Sequence, residues 1–441
     1  MNLSDIAHAL NGDCPSDCAL SGFSIDSRTI QPGQLFITIF GERFDGHDYV
    51  DAAVQAGAAA VMCERPMPEL GVPQLVVPST LQALATLAKW YRQQFSCPVI
   101  AVTGSNGKTS VKEMIAYILP QPSFATQGNF NNHIGVPLSV FHLQAEHRYA
   151  VFELGANKQG DIAHTVAMIQ PQVSLVNNIA PAHIEGFGSL DGTARAKGEI
   201  YQGLCAGGTM VINDDDAYAH FWDEFTIDHP CIRFSRSHAA AVCAQNLTLS
   251  PEGCPEFTLV TPAGEATVRL KIPGVHHVSN ALAAAACTHA VGISLADIVA
   301  GLESFTGVAG RMTFRNGKNK ATIIDDSYNA NLRSALTAVD VLAQRSGVRI
   351  LVLGDMAELG AWGARHHEEI GLAAREQGID WVLTCGKLSV KAALAFGSGG
   401  KHYETQADLA KDLLRRLDAK TTVLVKGSRS AAMENIVHQL I

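Results

Sequence analysis

The stretch Val99-Ile100-Ala101-Val102-Thr103-Gly104-Ser105-Asn106-Gly107-Lys108-Thr109-Ser110 decides the architecture of this chain. Its apolar, β-branched first half reads as a buried strand. The strand stops at a glycine-containing turn. Gly-Lys-Thr-Ser then opens a helical pattern with Val111, Met114, Ile115 and Ile118 on one face. Strand, glycine loop, lysine, hydroxyls and helix are the parts of a phosphate-binding loop. In such a loop the backbone N–H groups of Gly104, Ser105, Asn106 and Gly107 converge on phosphate oxygens, and the helix N-terminus favours negative charge. Lys108 is expected to reach the β- and γ-phosphates, and Thr109 or Ser110 to place a hydroxyl on Mg²⁺. The spacing is shorter than the common G-x-x-x-x-G-K-[ST], because Val102 stands where that pattern has its first glycine. The reading is a nucleoside triphosphate site. Its plain rival is a strand–turn–helix corner with a solvent-facing lysine.

Bulk properties narrow the class. A chain of 441 residues is long enough for roughly two to four domains, each with its own core. The net charge is −9 and no basic run exists, which argues against nucleic acid and membrane surfaces as partners. Met1-Asn2-Leu3-Ser4-Asp5 has neither the basic nor the apolar region of a signal peptide, and no apolar run is long enough to span a bilayer. Ten cysteines are scattered without CxxC pairs, as expected of free thiols in a reducing cytoplasm.

Residues 1–80 read as a small α/β unit. Phe23 to Arg28 is a short strand into a turn, and Ser27 with Arg28 suits either a phosphate or a solvated turn. Ser79 to Gln94 is a helix with Leu81, Leu84, Leu87 and Trp90 inward. Residues 81–310 form the largest unit. Asn129, Asn131 and Asn132 around Phe130 supply more side-chain amide than a turn requires, and suit an oxygen-rich substrate. Tyr149 to Gly155 is a strand carrying Glu153 at its carboxyl end, where open parallel sheets face their ligand, so Glu153 is a candidate Mg²⁺ anchor, with Asp161 competing. His183 follows the strand Val173 to Ile179 and is a crevice residue by the same rule. Lys197 reads from spacing as a solvated helix lysine. Asp214, Asp215 and Asp216 read as a turn and helix cap. Asn280 begins an Ala-rich helix over 281–290 as either a cap or a ligand contact. Residues 311–441 alternate strands and helices as in a Rossmann-like sheet, without a G-x-G-x-x-G fingerprint. The fold class expected is therefore α/β in three domains: a small N-terminal unit, a central mononucleotide-binding unit with a mostly parallel sheet, and a C-terminal Rossmann-like unit.

Taken together, the strings resemble the Mur ligases. The resemblance rests on Asp26-Ser27-Arg28, Phe44-Asp45-Gly46-His47, Thr103 to Ser110, Gly128 to Pro137, Glu153 to Asn157, Ala182 to Gly188, Ala196-Lys197-Gly198-Glu199, Asp325 to Asn331, Leu353 to Gly360 and Lys426-Gly427-Ser428-Arg429. The run Asp326-Ser327-Tyr328-Asn329-Ala330-Asn331 resembles the branch of the family whose expected reaction joins D-alanyl-D-alanine to UDP-N-acetylmuramoyl-tripeptide. The resemblance implies an ATP- and Mg²⁺-dependent cytoplasmic ligase, monomeric, working through an acyl phosphate. It implies Ser27 and Arg28 as contacts to the UDP end, and Asn131, Asn132, Tyr328 and Asn329 as further substrate contacts. Lys108, Glu153, His183 and Lys197 become the catalytic set, and Thr109, Glu153, His183 and Lys197 the metal region, with Lys197 carbamylated in many members. Asn280, Arg311 and Asp326 become nucleotide contacts, the last two delivered by domain closure. The chain departs from the family pattern at His133, His277, Leu332 and Ala361, where Asp or Glu, Asn, Pro and Glu respectively are usual. None of these positions is needed for phosphate transfer. The rival readings are a sister ligase adding a single amino acid, a folylpolyglutamate synthase, or a nucleotide-driven switch without a peptide product.

Overall fold

The computed structural model describes residues 1–441 except positions 15, 42–43, 182–183 and 358. Three sheets follow one another along the chain. The first has four parallel strands in chain order: Gly22–Ser24, Gln34–Ile37, Ala60–Cys63 and Gln74–Val76. Phe23 to Arg28 is a short strand into a turn, as read: the strand ends at Ser24, and the Asp26 carboxylate accepts the Arg28 N–H at 2.9 Å in the turn. Helix Thr80–Arg92 leads out of this unit, capped by Ser79, with Leu84 and Leu87 buried. Its end is anchored onto the central unit, where the buried Arg92 donates to the Ile169 and Cys97 carbonyls, both at 3.1 Å.

The central sheet has nine strands. Its spatial order is Gly264–Arg269, Pro255–Thr261, Val242–Leu249, Cys231–Ser235, Thr209–Asn213, Val173–Val176, Val99–Thr103, Tyr149–Glu153 and Ser123–Ala125. The pairs are parallel except for the two at the Gly264–Arg269 edge. Apolar cores cover both faces, as a mostly parallel sheet requires. Val99–Thr103 is buried throughout, and helix Lys108–Ile118 packs Val111, Met114, Ile115 and Ile118 into one core. Each such side chain contributes about 1.5–3 kcal/mol when fully buried. The strand Val99–Thr103 is flanked on one side by Tyr149–Glu153 and on the other by Val173–Val176. The chain therefore reverses its winding there, and the loop after Thr103 opens into the resulting crevice.

The third sheet runs Thr313–Asn316, Thr322–Asp326, Thr421–Lys426, Val348–Gly354, Trp381–Cys385 and Gly400–Tyr403. It is parallel but for its first pair, and cores lie on both faces. Among the described residues, no helix is long and apolar enough to cross a membrane. All ten cysteines are free.

Helix His276–Ala290 starts earlier than the sequence suggests. The turn at Pro273-Gly274 is the last breaker, so Asn280 lies in the second turn rather than at a cap. Tyr201 ties two central strands together from below: its hydroxyl accepts from Val176 N at 3.1 Å and donates to Val211 O at 2.8 Å. Tyr201→Phe leaves both backbone groups buried without that partner. The expected cost is about 1–3 kcal/mol, read as a lower urea midpoint at unchanged slope.

Candidate active site

The loop after Val99–Thr103 is shaped by backbone geometry and held by asparagines. Gly107 has φ 78°, and a Cβ there would stand 2.6 Å from both Asn177 Nδ2 and Asn280 Oδ1, so only glycine fits. The Asn106 N–H donates to Asn178 Oδ1 at 2.9 Å. The Asn106 carbonyl accepts from Asn177 Nδ2 at 2.9 Å and from Asn178 Nδ2 at 3.0 Å. Ser105 Oγ donates to the Ala180 carbonyl at 3.0 Å and accepts its N–H at 2.9 Å. The loop is thus pinned to the segment after the neighbouring strand Val173–Val176.

Lys108 opens the helix, and its Nζ donates to the Gly104 carbonyl at 2.8 Å. Burial lowers the pKa of this ammonium, Glu153 opposes that effect, and Arg311 adds to it. The hydroxyl of Thr109 donates to Glu153 Oε2 at 2.8 Å, and Asn131 Nδ2 donates to Oε1 at 2.8 Å. Glu153 is buried at the carboxyl end of Tyr149–Glu153, so both of its oxygens are fixed at the crevice floor. Asp161, the competing acid, is engaged in the loop before its helix, accepting from Asn157 N and Lys158 N at 2.9 and 3.1 Å. The three acids at 214–216 are likewise engaged: Asp214 pairs with Arg233, Asp215 accepts from Ser235 Oγ, and Asp216 accepts from Ile179 N.

Lys197 overturns the expectation drawn from its spacing. It is 2% exposed, on a helix Leu190–Gln202 that also buries Ala194, Ala196, Ile200 and Tyr201. Its Nζ lies 5.6 Å from the Phe187 ring centroid. No hydrogen bond or ion pair to Nζ is present among the described residues. Burial first, and then the Lys108 charge, push its pKa well below the ordinary lysine range.

The third sheet closes the crevice. Asp326 ends the strand Thr322–Asp326, accepting from Lys426 Nζ at 2.5 Å and from Met312 N at 3.1 Å. The Arg311 guanidinium stacks on Tyr328 at 4.3 Å. Hydrogen bonds that join this unit to the central one include Asn331 Nδ2 donating to Asn106 Oδ1 at 2.7 Å, Arg333 to the Ile179 carbonyl at 3.2 Å and Arg345 to the Glu252 carbonyl at 3.0 Å. The open cavity between them has a volume of about 1170 Å³. It is lined by Ser105, Asn106, Gly107, Lys108, Thr109, Ser110, Asn131, Asn132, Glu153, Lys197, Asn280, Arg311, Asp326, Tyr328 and Asn329. Gly104 touches the site through the carbonyl that receives Lys108. Asn132 also caps the next helix, accepting Gly135 N at 2.7 Å.

Two expected residues lie apart. Ser27 and Arg28 sit on the first sheet and do not line this cavity. The Arg28 side chain is 86% exposed and pairs with Asp26, whose carboxyl it holds down at about 2. His183 lies outside the described residues. Sequence reasoning assigned no role to Asn177, Asn178 and Arg333. An Asn-Asn pair at the carboxyl end of a strand was the available signal for the first two.

The Lys197 shift sets a stability test. Its folded-state pKa is lowered, so the unfolded chain binds the extra proton between that value and the ordinary lysine range, and stability rises with pH across this window. In bicarbonate-free buffer Lys197→Met should melt at a higher temperature than the wild type near neutral pH. It should also lose that part of the pH dependence, as read by thermal melts from pH 7 to pH 10.

Comparison with known proteins agrees with this geometry. The model "Mur ligase family, catalytic domain" matches residues 19–92, "Mur ligase middle domain" residues 102–288, and "Mur ligase, glutamate ligase domain" residues 310–429. A relative from Escherichia coli (strain K12), named UDP-N-acetylmuramoyl-tripeptide--D-alanyl-D-alanine ligase, is 45% identical over 100% of this chain and 98% of its own. A crystal structure of MurF from Acinetobacter baumannii is similar with TM-score 0.92 and 36% identity, covering 99% of this chain and 97% of that one. MurF ligase from Thermotoga maritima in complex with ADP is similar with TM-score 0.84 and 28% identity, covering 95% and 96%. The chain belongs to the Mur ligase family.

Proposed function

We propose that this chain joins D-alanyl-D-alanine to UDP-N-acetylmuramoyl-tripeptide, using ATP, in the cytoplasmic assembly of the peptidoglycan precursor. The observation that carries this reading is the meeting, in one cavity, of a phosphate loop with a cationic lysine and a fixed carboxylate from the central sheet, and of Arg311, Asp326 and Tyr328 from the third. The full-length similarity to ligases of that name supports the choice of substrates.

The chemistry follows from the residues. A free carboxylate does not react with an amine until one of its oxygens becomes a leaving group. The terminal carboxylate of the tripeptide attacks the γ-phosphorus of ATP. The bond to the bridging oxygen breaks, and ADP departs with that electron pair. The dipeptide amine then adds to the acyl carbon, loses a proton, and expels inorganic phosphate. Lys108 is placed to neutralise charge between the two anions in the first step. Mg²⁺ fits beside it, since the Thr109 hydroxyl and the Glu153 carboxylate are hard oxygen donors 2.8 Å apart and phosphate oxygens complete such a set. When bound, it offsets phosphate charge. Arg311 and Lys426 approach from the third unit, and the contacts of Asn331 and Arg333 hold that unit against the central one. No protein nucleophile is needed.

Lys197 has a separate role in this reading. A neutral, buried amine is the form that adds to CO₂, giving a carbamate and releasing a proton. The carbamate would place an anionic oxygen donor at the metal region in place of the amine. Asn131, Asn132, Tyr328 and Asn329 are assigned to the muramoyl-peptide side, and Ser27 and Arg28 to the UDP end. The protein acts as a monomer.

Two measurements test the proposal. ADP release should require the tripeptide nucleotide and D-alanyl-D-alanine together. Meso-diaminopimelate, D-Glu and L-Glu should not replace the dipeptide, and Lys108→Ala should lower kcat by about 10²–10³. ADP release without an acceptor, or near-normal turnover in Lys108→Ala, contradicts the assignment. With ¹³C-bicarbonate, a carbamate resonance should appear in the wild type and vanish in Lys197→Met. Equal spectra remove the carbamate from the account.

A further inference from the structure

Lys112 has no part in the chemistry above, yet it is buried where an apolar residue would pack. It lies on helix Lys108–Ile118 among Val111, Met114 and Ile115 and is 1% exposed. Burying an ammonium costs stability unless its donors are satisfied, so its partners define its task. Nζ pairs with the partly exposed carboxylate of Glu113 next to it in the helix. Its inward bond goes to the carbonyl of Thr126, at 2.8 Å. Thr126 is itself 1% exposed and directly follows strand Ser123–Ala125.

Thr126 leads to the carboxylate of the site. Its N–H donates to the Val151 carbonyl at 3.0 Å, and its Oγ1 accepts from the Glu153 N–H at 3.1 Å. It also opens the segment that carries Asn131, whose Nδ2 donates to Glu153 Oε1. The other oxygen, Oε2, accepts from Thr109, three residues before Lys112 on the same side of the helix. One helix therefore reaches Glu153 twice: at the carboxylate through Thr109, and at the backbone through Lys112 and Thr126. We propose that Lys112 is a positioning residue for Glu153: through Thr126 it fixes where the carboxylate stands beside Thr109, and so sets the affinity of the nucleotide site for Mg²⁺. This rests on the ATP and Mg²⁺ reading above.

The place of Thr126 in the sheet shows why a tie from the helix is needed. Strand Ser123–Ala125 has three residues and stands at the edge of the central sheet, so pairing holds it from one side only. Lys112 supplies the hold from the helix. The phosphate loop has anchors of its own in Asn177 and Asn178. Neither Lys112 nor Thr126 lines the cavity, so a change at either acts through Glu153 and not on a ligand. Loss of the tie should therefore separate metal affinity from nucleotide affinity.

The test is equilibrium binding of a non-hydrolysable ATP analogue to the full chain, in excess Mg²⁺ and in EDTA, with thermal melts of each protein. The ratio of the two affinities reports the metal. Lys112→Met should lower that ratio about tenfold and leave the affinity in EDTA unchanged. Thr126→Val keeps the shape but loses the acceptor for Glu153 N–H, and should lower the ratio likewise. Thr126→Ser should keep it. Lys112→Met combined with Thr126→Val should lose no more than the larger single loss, because both break one route. A lower melting temperature with an unchanged ratio in Lys112→Met marks a purely structural role and overturns the proposal. Should Lys112→Met not fold, equal ratios in Thr126→Val and Thr126→Ser overturn it. A wild-type chain that binds the analogue no better with Mg²⁺ than in EDTA overturns the Mg²⁺ reading itself, and this inference with it.

Discussion

The arrangement depends on the absence of one side chain. At Gly107 the backbone is left-handed, and Asn177 and Asn280 occupy the space a Cβ would need. The helix starts at the next residue, Lys108, while the Ser105 and Asn106 N–H groups are not free for a phosphate but donate to the Asn178 carbonyl and Oδ1, both at 2.9 Å. Asn106, next in the loop, is held by Asn177 and Asn178 from one side and by Asn331 from the third sheet. The same small segment therefore sets the phosphate cradle and registers the two units against each other. Asparagine suits this work because each side chain both donates and accepts without carrying charge into a site built for anions.

The site's electrostatics are the reverse of the chain's. The protein carries −9 overall, yet Lys108, Lys197, Arg311 and Lys426 converge on one cavity with Glu153 and Asp326. Lys197 has no counter-charge among the described residues. Holding a buried lysine in that way costs stability. Burial and the neighbouring Lys108 charge both favour its neutral form. The bulk charge governs solubility and long-range repulsion, while the local field governs which ligands enter.

Much of this was legible in the sequence, for physical reasons. Val99 to Ser110 announces strand, turn and helix through periodicity and glycine placement, and the fold builds them as read. Glu153 was findable because the carboxyl ends of parallel strands face the crevice. Lys197 was not legible from spacing, since a lysine on an amphipathic helix gives no sign of which face is buried. The family resemblance, not the pattern, marked it. The start of the helix at His276 was missed because a histidine pair carries little helical signal, although no breaker follows Gly274. The asparagine network was hidden for another reason: Asn106, Asn177, Asn280 and Asn331 lie far apart in the chain, and local patterns cannot report a meeting of distant segments.

The central claim is that a triphosphate held on this loop charges a carboxylate, which an amine then displaces. Following oxygen tests it most directly. The tripeptide nucleotide, labelled with ¹⁸O in its terminal carboxylate, is incubated with ATP, D-alanyl-D-alanine and the protein, and the released phosphate is analysed by mass. The account predicts that ¹⁸O from the carboxylate appears in inorganic phosphate in step with amide formation. Amide product accompanied by unlabelled phosphate contradicts it.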